Sequence, residues 1–185
     1  MNKTFLSLAA AAMLVGVPSA HAVVYTFNAA LNGASEAVPN ISAGVGAATL
    51  WYDDKGTLVT TDDDFIFSLF AIGLSGAVTG SHIHNAPVGS AGPIIQHLNA
   101  ANGFFVFPLP GGVSIGGASI PAPSLTFLGT LTAGLGYVNV HTALFPGGEV
   151  RGQLIEVTAV PEPSTYAMLL AGIAALGFVA RRRQS

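Results

Sequence analysis

The stretch Thr79-Gly80-Ser81-His82-Ile83-His84 has the alternating pattern of a β-strand. A β-strand sends alternate side chains to opposite faces, so His82 and His84 point the same way while Ile83 points into the core. Two imidazoles side by side at the end of a strand are either a metal-ligand pair or a hydrogen-bonded structural pair. The pattern therefore predicts a strand with core packing on one face and polar chemistry on the other.

Alternating apolar residues recur outward from this strand in both directions. Val23–Leu31 alternates in the same way, and Asp53-Asp54-Lys55-Gly56 is typical of a hairpin turn. No amphipathic helix pattern with caps is present between residues 23 and 160. The sequence predicts an all-β fold, a single antiparallel β-sandwich with Greek-key connections of the immunoglobulin or superoxide dismutase type. Its other strands are predicted at Gly44–Tyr52, Thr57–Thr61, Phe65–Ile72, Ala77–His84, Ile94–Leu98, Phe104–Phe107, Leu125–Leu131, Tyr137–Thr142 and Glu149–Val157.

Two segments carry more specific expectations. Phe65–Ile72 is apolar on both faces except at Ser68, which predicts a central strand that is covered on both sides. Residues 108–124 are rich in proline, glycine and serine. They form the longest irregular stretch, which predicts a binding loop or a mobile flap.

The N-terminal segment has the pattern of an export signal. Lys3 precedes an apolar run from Phe5 to Val17, and Ala20-His21-Ala22 is a small-x-small cleavage site. We therefore expect residues 1–22 to be a secretory signal peptide and not an element of the fold.

The C-terminal segment, residues 158–185, has the pattern of a short membrane anchor. The uncharged run Tyr166–Ala180 is followed by an arginine cluster at Arg181, Arg182 and Arg183. As a helix this run reaches about 22 Å, and it spans the hydrocarbon core only with Ser164 and Thr165 included and the arginines snorkelling to the headgroups. Because cationic flanks stay in the cytoplasm, the preceding domain is expected outside the membrane.

The same segment resembles the PEP-CTERM sorting signal of Gram-negative bacteria. It carries the Pro161-Glu162-Pro163 motif, an Ala/Leu/Gly-rich helix and the terminal arginines in the order of that signal. The resemblance implies recognition by an exosortase-type membrane protease and cleavage near the motif, with transient anchoring in the inner membrane before release or transfer to the cell surface. It also implies an association with exopolysaccharide and biofilm matrix.

Composition limits what the domain between these segments can bind. In residues 23–157, eight carboxylates stand against Lys55 and Arg151, a formal charge of about −6. That charge argues against nucleic acid and anionic lipid headgroups as partners. The cysteine count of zero excludes thiol catalysis and thiolate metal sites.

Four histidines are the candidate site residues. His82, His84, His97 and His141 all lie in strand-like runs, and if they converge they form a copper or zinc site. Hairpin register would place His141 near Glu149 or Arg151, either of which would then lie in the second shell of the metal. The alternative is a structural network in which the histidines bond backbone groups or carboxylates.

The domain is similar to the CHRD domain, named for the animal protein chordin and common in bacterial exported proteins. The residues that carry the resemblance are Leu74-Ser75-Gly76, Thr79, His82-Ile83-His84, Gly92-Pro93, Tyr137–Thr142 and Phe145–Gln153. The match runs from about Tyr25 to Ile155, and Asn85 departs from the small residue usual after the histidine pair. It implies an extracellular β-sandwich that acts as a surface or binding module.

The order of the four histidines is also similar to that of the copper ligands of copper–zinc superoxide dismutase. The additional histidine and aspartate ligands for zinc and the stabilising disulfide have no counterpart here. Fold analogy does not license the activity. We expect a non-catalytic, exported binding or structural module that recognises exopolysaccharide or another surface protein, with a histidine-ligated metal protein, superoxide dismutase-like at most, as the alternative.

Overall fold

In the part of the domain that the structure describes, there are ten strands, one short α-helix and two 3-10 helices, at Gly33–Ser35 and Ala100–Asn102. The computed structural model describes residues 22–57, 59, 62–119, 125–157, 168–174, 176 and 181. The strands are β1 (Val24–Asn32), β2 (Val45–Asp53), β3 (Asp64–Ile72), β4 (Val78–Asn85), β5 (Ile94–His97), β6 (Phe104–Leu109), β7 (Gly112–Ser119), β8 (Gly136–Thr142), β9 (Val150–Gln153) and β10 (Ile155–Glu156), with helix α1 (Leu125–Thr132) between β7 and β8.

All ten strands belong to one antiparallel sheet, and this corrects the predicted two-sheet sandwich. The strand order is β5-β4-β8-β9-β1-β2-β3-β7-β6, with β10 paired to β1. The sheet curls into a half-barrel whose inner face holds the core. Its two ends approach each other, since Val78 of β4 and Val106 of β6 line the same cavity. Alternation along a strand predicts only that one face is buried. The pattern is the same whether that face packs against a second sheet or against the far side of its own curled sheet.

The inner face of β2 and β3 builds an aromatic core that α1 closes. Phe127 of α1 lies edge-on to Phe65, with ring centroids 5.3 Å apart, and stacks on Tyr52 at 6.3 Å. Residues 125–131 lie in α1, so the strand predicted at Leu125–Leu131 is wrong. Phe127 and Leu131, both buried, satisfy helical i, i+4 spacing as well as strand alternation, so the short apolar run was ambiguous.

Two further expectations are corrected. Strand β3 buries only one face, because Ile66, Phe70 and Ile72 on the other face are exposed. Residues 112–119, predicted as irregular, form β7, which pairs with β3 along its whole length and with β6 at residues 112–117. Pairing on both sides supplies the order that a glycine-rich strand does not supply by itself.

The terminal segments lie largely outside the described residues. Residues 1–21 and the motif Pro161-Glu162-Pro163 fall in undescribed parts of the chain, as do Arg182 and Arg183. Residues 168–174, 176 and 181 are helical. Among the described residues, no helix has the length and apolar character that crossing a membrane requires.

A buried carboxylate ties three segments of the half-barrel together. Glu149, fully buried just before β9, accepts hydrogen bonds from Ser42 Oγ and Ser75 N on Oε1 and from Thr142 Oγ1 on Oε2, each at 2.6 Å. Burial alone raises the pKa of Glu149, but these hydrogen bonds outweigh it and hold the pKa below its usual value. The carboxylate is therefore ionised and fully bonded, as a structural group should be.

Replacing Glu149→Gln is expected to lower the free energy of unfolding by about 2–4 kcal/mol, because an amide NH₂ would face hydrogen-bond donors in a buried site. Urea denaturation measured by circular dichroism gives this value. Glu156→Gln, at an exposed glutamate, is the matched control and should change stability by less than about 0.5 kcal/mol. Equal effects from the two substitutions would contradict the assignment of Glu149 as a structural tie.

Candidate metal centre

Pairing of β4 with β8 brings three histidines to one place. The register sets His82 opposite Asn139, His84 opposite Tyr137, and Gly80 opposite His141. All of these positions lie on the outer face of the half-barrel, while Ile83, Val138 and Val140 lie in the core. The adjacency of these two strands is the arrangement that a shared site requires.

The three imidazole rings form a compact group. Ring centroids lie 5.6 Å apart for His82 and His84, 5.0 Å for His82 and His141, and 5.8 Å for His84 and His141. One ring nitrogen from each lies within 4.8 Å of the other two. A tetrahedral ion with bonds of 2.0–2.1 Å holds its ligand atoms about 3.4 Å apart, so the ring nitrogens need to approach one another by at most about 1.4 Å.

Backbone carbonyls orient two of the rings. His84 Nδ1 lies 3.0 Å from the carbonyl oxygen of Gly92, and His141 Nδ1 lies 3.0 Å from that of Pro146. A carbonyl only accepts, so each Nδ1 donates its hydrogen and each Nε2 keeps a free lone pair. This is the usual way in which a ligating histidine is held by its outer shell.

One ring nitrogen of each of the three histidines is buried without a partner. His84 Nε2, His141 Nε2 and His82 Nδ1 are all shielded from solvent and form no hydrogen bond. Leaving a buried polar atom unsatisfied costs about 1–3 kcal/mol, so three such atoms in one group need an explanation. An ion held by these three histidines would give the rings ligand bonds in place of the missing hydrogen bonds.

The environment keeps the rings of His82 and His84 neutral by lowering their pKa values. Burial, together with the smaller effects of the nearby His141, His97 and His84 rings, lowers the pKa of His82 to about 4. Burial also lowers the pKa of His84, although the bond to Gly92 opposes the shift. Neutral imidazole is the form that binds a metal, so both residues are ready to ligate at neutral pH.

Tyr137 and Arg151 form a stack with the His84 ring, in which Tyr137 lies between the other two. The Tyr137 ring stacks on His84 with centroids 4.9 Å apart and planes 12° apart, and the Arg151 guanidinium carbon lies 3.5 Å from the Tyr137 centroid. Arg151, itself buried, donates to the carbonyls of Ser90 at 2.6 Å and Pro87 at 2.9 Å. Arg151 therefore holds the loop that carries Gly92 and acts on the site through Tyr137 and that loop.

His97 and Glu149, also predicted for the site, lie outside the three-nitrogen group. His97 is exposed and lies opposite His82 across β4 and β5, with ring centroids 4.8 Å apart, but it contributes no atom to the three-nitrogen group. Glu149 bonds Ser42, Ser75 and Thr142, and the carbonyl of Pro146 takes the place expected for it beside His141. The structure thus brings together three of the four predicted ligands.

Two glycines that sequence reasoning did not assign to the site make room for it. A Cβ at Gly80 would lie 3.1 Å from His82 Cε1, and one at Gly92 would lie 1.9 Å from the carbonyl oxygen of Asn85. Any side chain at Gly92 would displace the carbonyl that orients His84. The signal available was the Gly92-Pro93 pair within the family motif, whose contact with His84 only the folded loop defines.

Next to the histidines lies a buried acid that sequence reasoning also missed. Glu36 Oε2 accepts a hydrogen bond from Asn139 Nδ2 at 3.2 Å, while Glu36 Oε1 and Asn139 Oδ1 are buried without partners. Burial raises the pKa of Glu36 to about 7, although the Asn139 hydrogen bond and the charge of Arg151 oppose it. The folded protein thus keeps this carboxyl protonated above the pH at which the unfolded chain releases the proton.

The family comparison agrees with this architecture. A family model described as the CHRD domain matches residues 27–154, which cover every strand of the sheet except β10 in whole or in part. The chain belongs to the CHRD domain family. A second model, the PEP-CTERM protein-sorting motif, matches residues 159–183 of this CHRD-domain protein. Both resemblances seen in the sequence are therefore confirmed, and the sorting motif implies export and surface sorting in Gram-negative bacteria.

The chain matches no curated protein and no solved structure. The similarity to superoxide dismutase therefore rests on the order of the histidines alone.

Titration of Glu36 predicts a pH dependence of stability. Its pKa is raised from 4.5 to about 7, so its contribution is complete below about pH 4.5 and is lost as the pH rises to about 7. Relative to Glu36→Gln, the wild-type free energy of unfolding should fall by about 1–3 kcal/mol between pH 5 and pH 7.5. Urea titrations at both pH values measure this difference. The lowered pKa of His82 changes stability with pH in the opposite direction, but both proteins carry His82 and its effect cancels.

Glu156→Gln, at an exposed glutamate, should keep the wild-type pH dependence. The same pH dependence in wild type and Glu36→Gln would show that Glu36 titrates normally.

Proposed function

We propose that this CHRD-domain protein is an exported, surface-sorted, non-catalytic module that binds one copper or zinc ion through His82, His84 and His141. The observation that carries the proposal is the set of three buried ring nitrogens without hydrogen-bond partners, one from each histidine. A purely structural histidine cluster would direct these nitrogens to donors or carbonyls, as the fully bonded Glu149 does.

The donor set favours copper or zinc over harder ions. Neutral imidazoles suit both metals, whereas magnesium and calcium prefer oxygen ligands. Three histidines leave a fourth coordination position open on a tetrahedral ion. Exposed His97 lies next to the His82 ring. His97 contributes no atom to the three-nitrogen group, so we do not include it among the ligands that hold the ion.

Metal analysis tests the site directly. The purified protein, dialysed against copper or zinc and then against buffer, should retain about one ion per chain by mass spectrometry. A His82→Ala/His84→Ala variant should retain none, because one remaining imidazole does not hold the ion. His97→Ala is the matched control at an exposed histidine and should keep the wild-type stoichiometry.

Folding must be measured on the same samples. Bound metal raises the melting temperature by linkage, and a hundredfold excess over the dissociation constant adds about 2.7 kcal/mol. We expect this rise in wild type and His97→Ala and none in the double variant, with matching circular dichroism spectra for the metal-free forms. Equal, substoichiometric metal in wild type and double variant would leave only the structural interpretation of the histidines. Superoxide consumption above that of free copper would contradict the non-catalytic assignment.

For location, we propose that the protein is held in the inner membrane by Ser164–Ala180, processed near Pro161-Glu162-Pro163 by an exosortase-type protease, and then delivered to the surface or the exopolysaccharide matrix. The sorting motif is associated with exosortase-dependent sorting, and that association supports the proposal. The negative charge of the domain fits neutral polysaccharide or another surface protein as a ligand better than nucleic acid.

Deletion of residues 161–185 should move the protein from the membrane and surface fractions to the soluble exported fraction, because it removes both anchor and motif. Replacing only Pro161, Glu162 and Pro163 with alanine keeps the anchor and should trap the protein in the membrane fraction. Immunoblots of separated fractions measure both outcomes. Unchanged fractionation after the deletion would contradict the sorting proposal.

A further inference from the structure

The outer face of β2, β3, β7 and β6 is unusually apolar. It exposes seven large hydrophobic side chains, each by 39–69 %: Val45, Trp51, Ile66, Phe70, Ile72, Phe105 and Phe107. Together they expose on the order of 700–800 Å², more than the largest apolar patch of a typical monomer. A patch of this size marks a surface that another molecule covers.

The patch has a ridge next to a trough. Phe105 and Phe107 form the ridge on edge strand β6, with ring centroids 6.5 Å apart. The trough follows β7, whose outward positions are all small: Gly112, Ser114, Gly116 and Ala118. On its far side stand Ile66, Phe70 and Ile72 of β3, two strand spacings or about 9.6 Å from β6.

Gly116 shows that the trough is not required by the fold of one chain. A Cβ there would meet nothing closer than the Phe67 carbonyl oxygen at 4.0 Å, and its φ is not positive. A larger residue would therefore fit, although glycine weakens a strand. Glycine in a strand often marks close approach by another backbone or ligand.

We propose that a second copy of this chain covers the β6–β7 side of this face, with the Phe105–Phe107 ridge of each copy in the β7 trough of the other. A two-fold axis parallel to the strands, between β6 and β7, places Phe107 over the partner copy's Ser114 and Phe105 over its Gly116. The ridge and the trough are adjacent on one chain, so the surface is self-complementary, as an isologous interface must be.

Area and charge both favour a second copy. The side chains that this axis brings to the contact, on β6 and on the adjacent part of β3, expose roughly 550 Å² of apolar surface. A standard interface buries roughly 800 Å² per partner, of which a little over half is apolar. The outward positions from 45 to 51, 66 to 72, 105 to 109 and 112 to 118 carry no charged residue. Two domains that each carry about −6 repel least where they meet through an uncharged face.

Sedimentation equilibrium tests the dimer. The full chain is measured in a detergent matched to the buffer density, so that only protein mass is counted. We expect twice the chain mass at about 50 μM for wild type. Gly116→Glu places a charge in the trough without an internal clash and should weaken association at least tenfold. Gly129→Glu is the matched control, because Gly129 is exposed on α1 with nothing within 4 Å of its Cβ, and it should remain dimeric.

A second variant removes the ridge in place of filling the trough. Phe105→Ser/Phe107→Ser changes two exposed side chains, so the fold should persist while the protein becomes monomeric, with circular dichroism confirming the fold. A wild-type protein that is monomeric at 50 μM would overturn the proposal, and this result does not depend on any variant. A dimer that both Gly116→Glu and the double variant leave intact would also overturn it, since such a dimer would use another surface. Because the metal ligands lie elsewhere, failure here leaves the metal proposal unchanged.

Discussion

The register between β4 and β8 is the constraint on which the rest of this structure depends. It sets Gly80 opposite His141 and His82 opposite Asn139, and so decides which polar side chains meet. A slip of one residue would send the histidines into the core and Ile83 to the outer face. Core packing of Ile83, Val138 and Val140 prevents that slip, because these side chains are buried completely. The hydrophobic side of the two strands thus holds the chemical side in place.

Two buried polar groups near this register differ in how well they are satisfied. Glu149 has three short hydrogen bonds and a lowered pKa, the properties of a group that stabilises the fold. The histidines use one nitrogen for a backbone carbonyl, in His84 and His141, and leave another buried without a partner. The same protein therefore contains a completed network and an incomplete one within a few residues of each other. That contrast supports the proposal that the histidines bind an ion, whereas Glu149 is part of a structural network.

A single curled sheet also explains why the outer surface divides into two regions. Over β4, β8 and β9, loops cover the outer face, and Arg151 and Tyr137 fasten one of them. Over β2, β3, β7 and β6, apolar side chains remain exposed. In a two-sheet sandwich each sheet needs only one apolar face. Because β3 is apolar on its outer face as well, the sequence predicted a strand that is covered on both sides. The chain by itself supplies cover on one side only.

Periodicity in the sequence was enough to establish β-structure, the positions of β1, β2, β4 and β8, and the shared face of His82 and His84, because alternation is a local property of the backbone. Motif order was enough to establish the CHRD domain and the sorting signal. The sequence did not distinguish a half-barrel from a sandwich, or helix α1 from a strand, because both alternatives bury the same residues. Only the tertiary structure brought His141 to the histidine pair, kept His97 out of the group, and turned Glu149 to Ser42, Ser75 and Thr142. Those outcomes depend on which strands pair and how the loops close over them, and contacts between residues distant in the chain leave no periodic trace in the sequence.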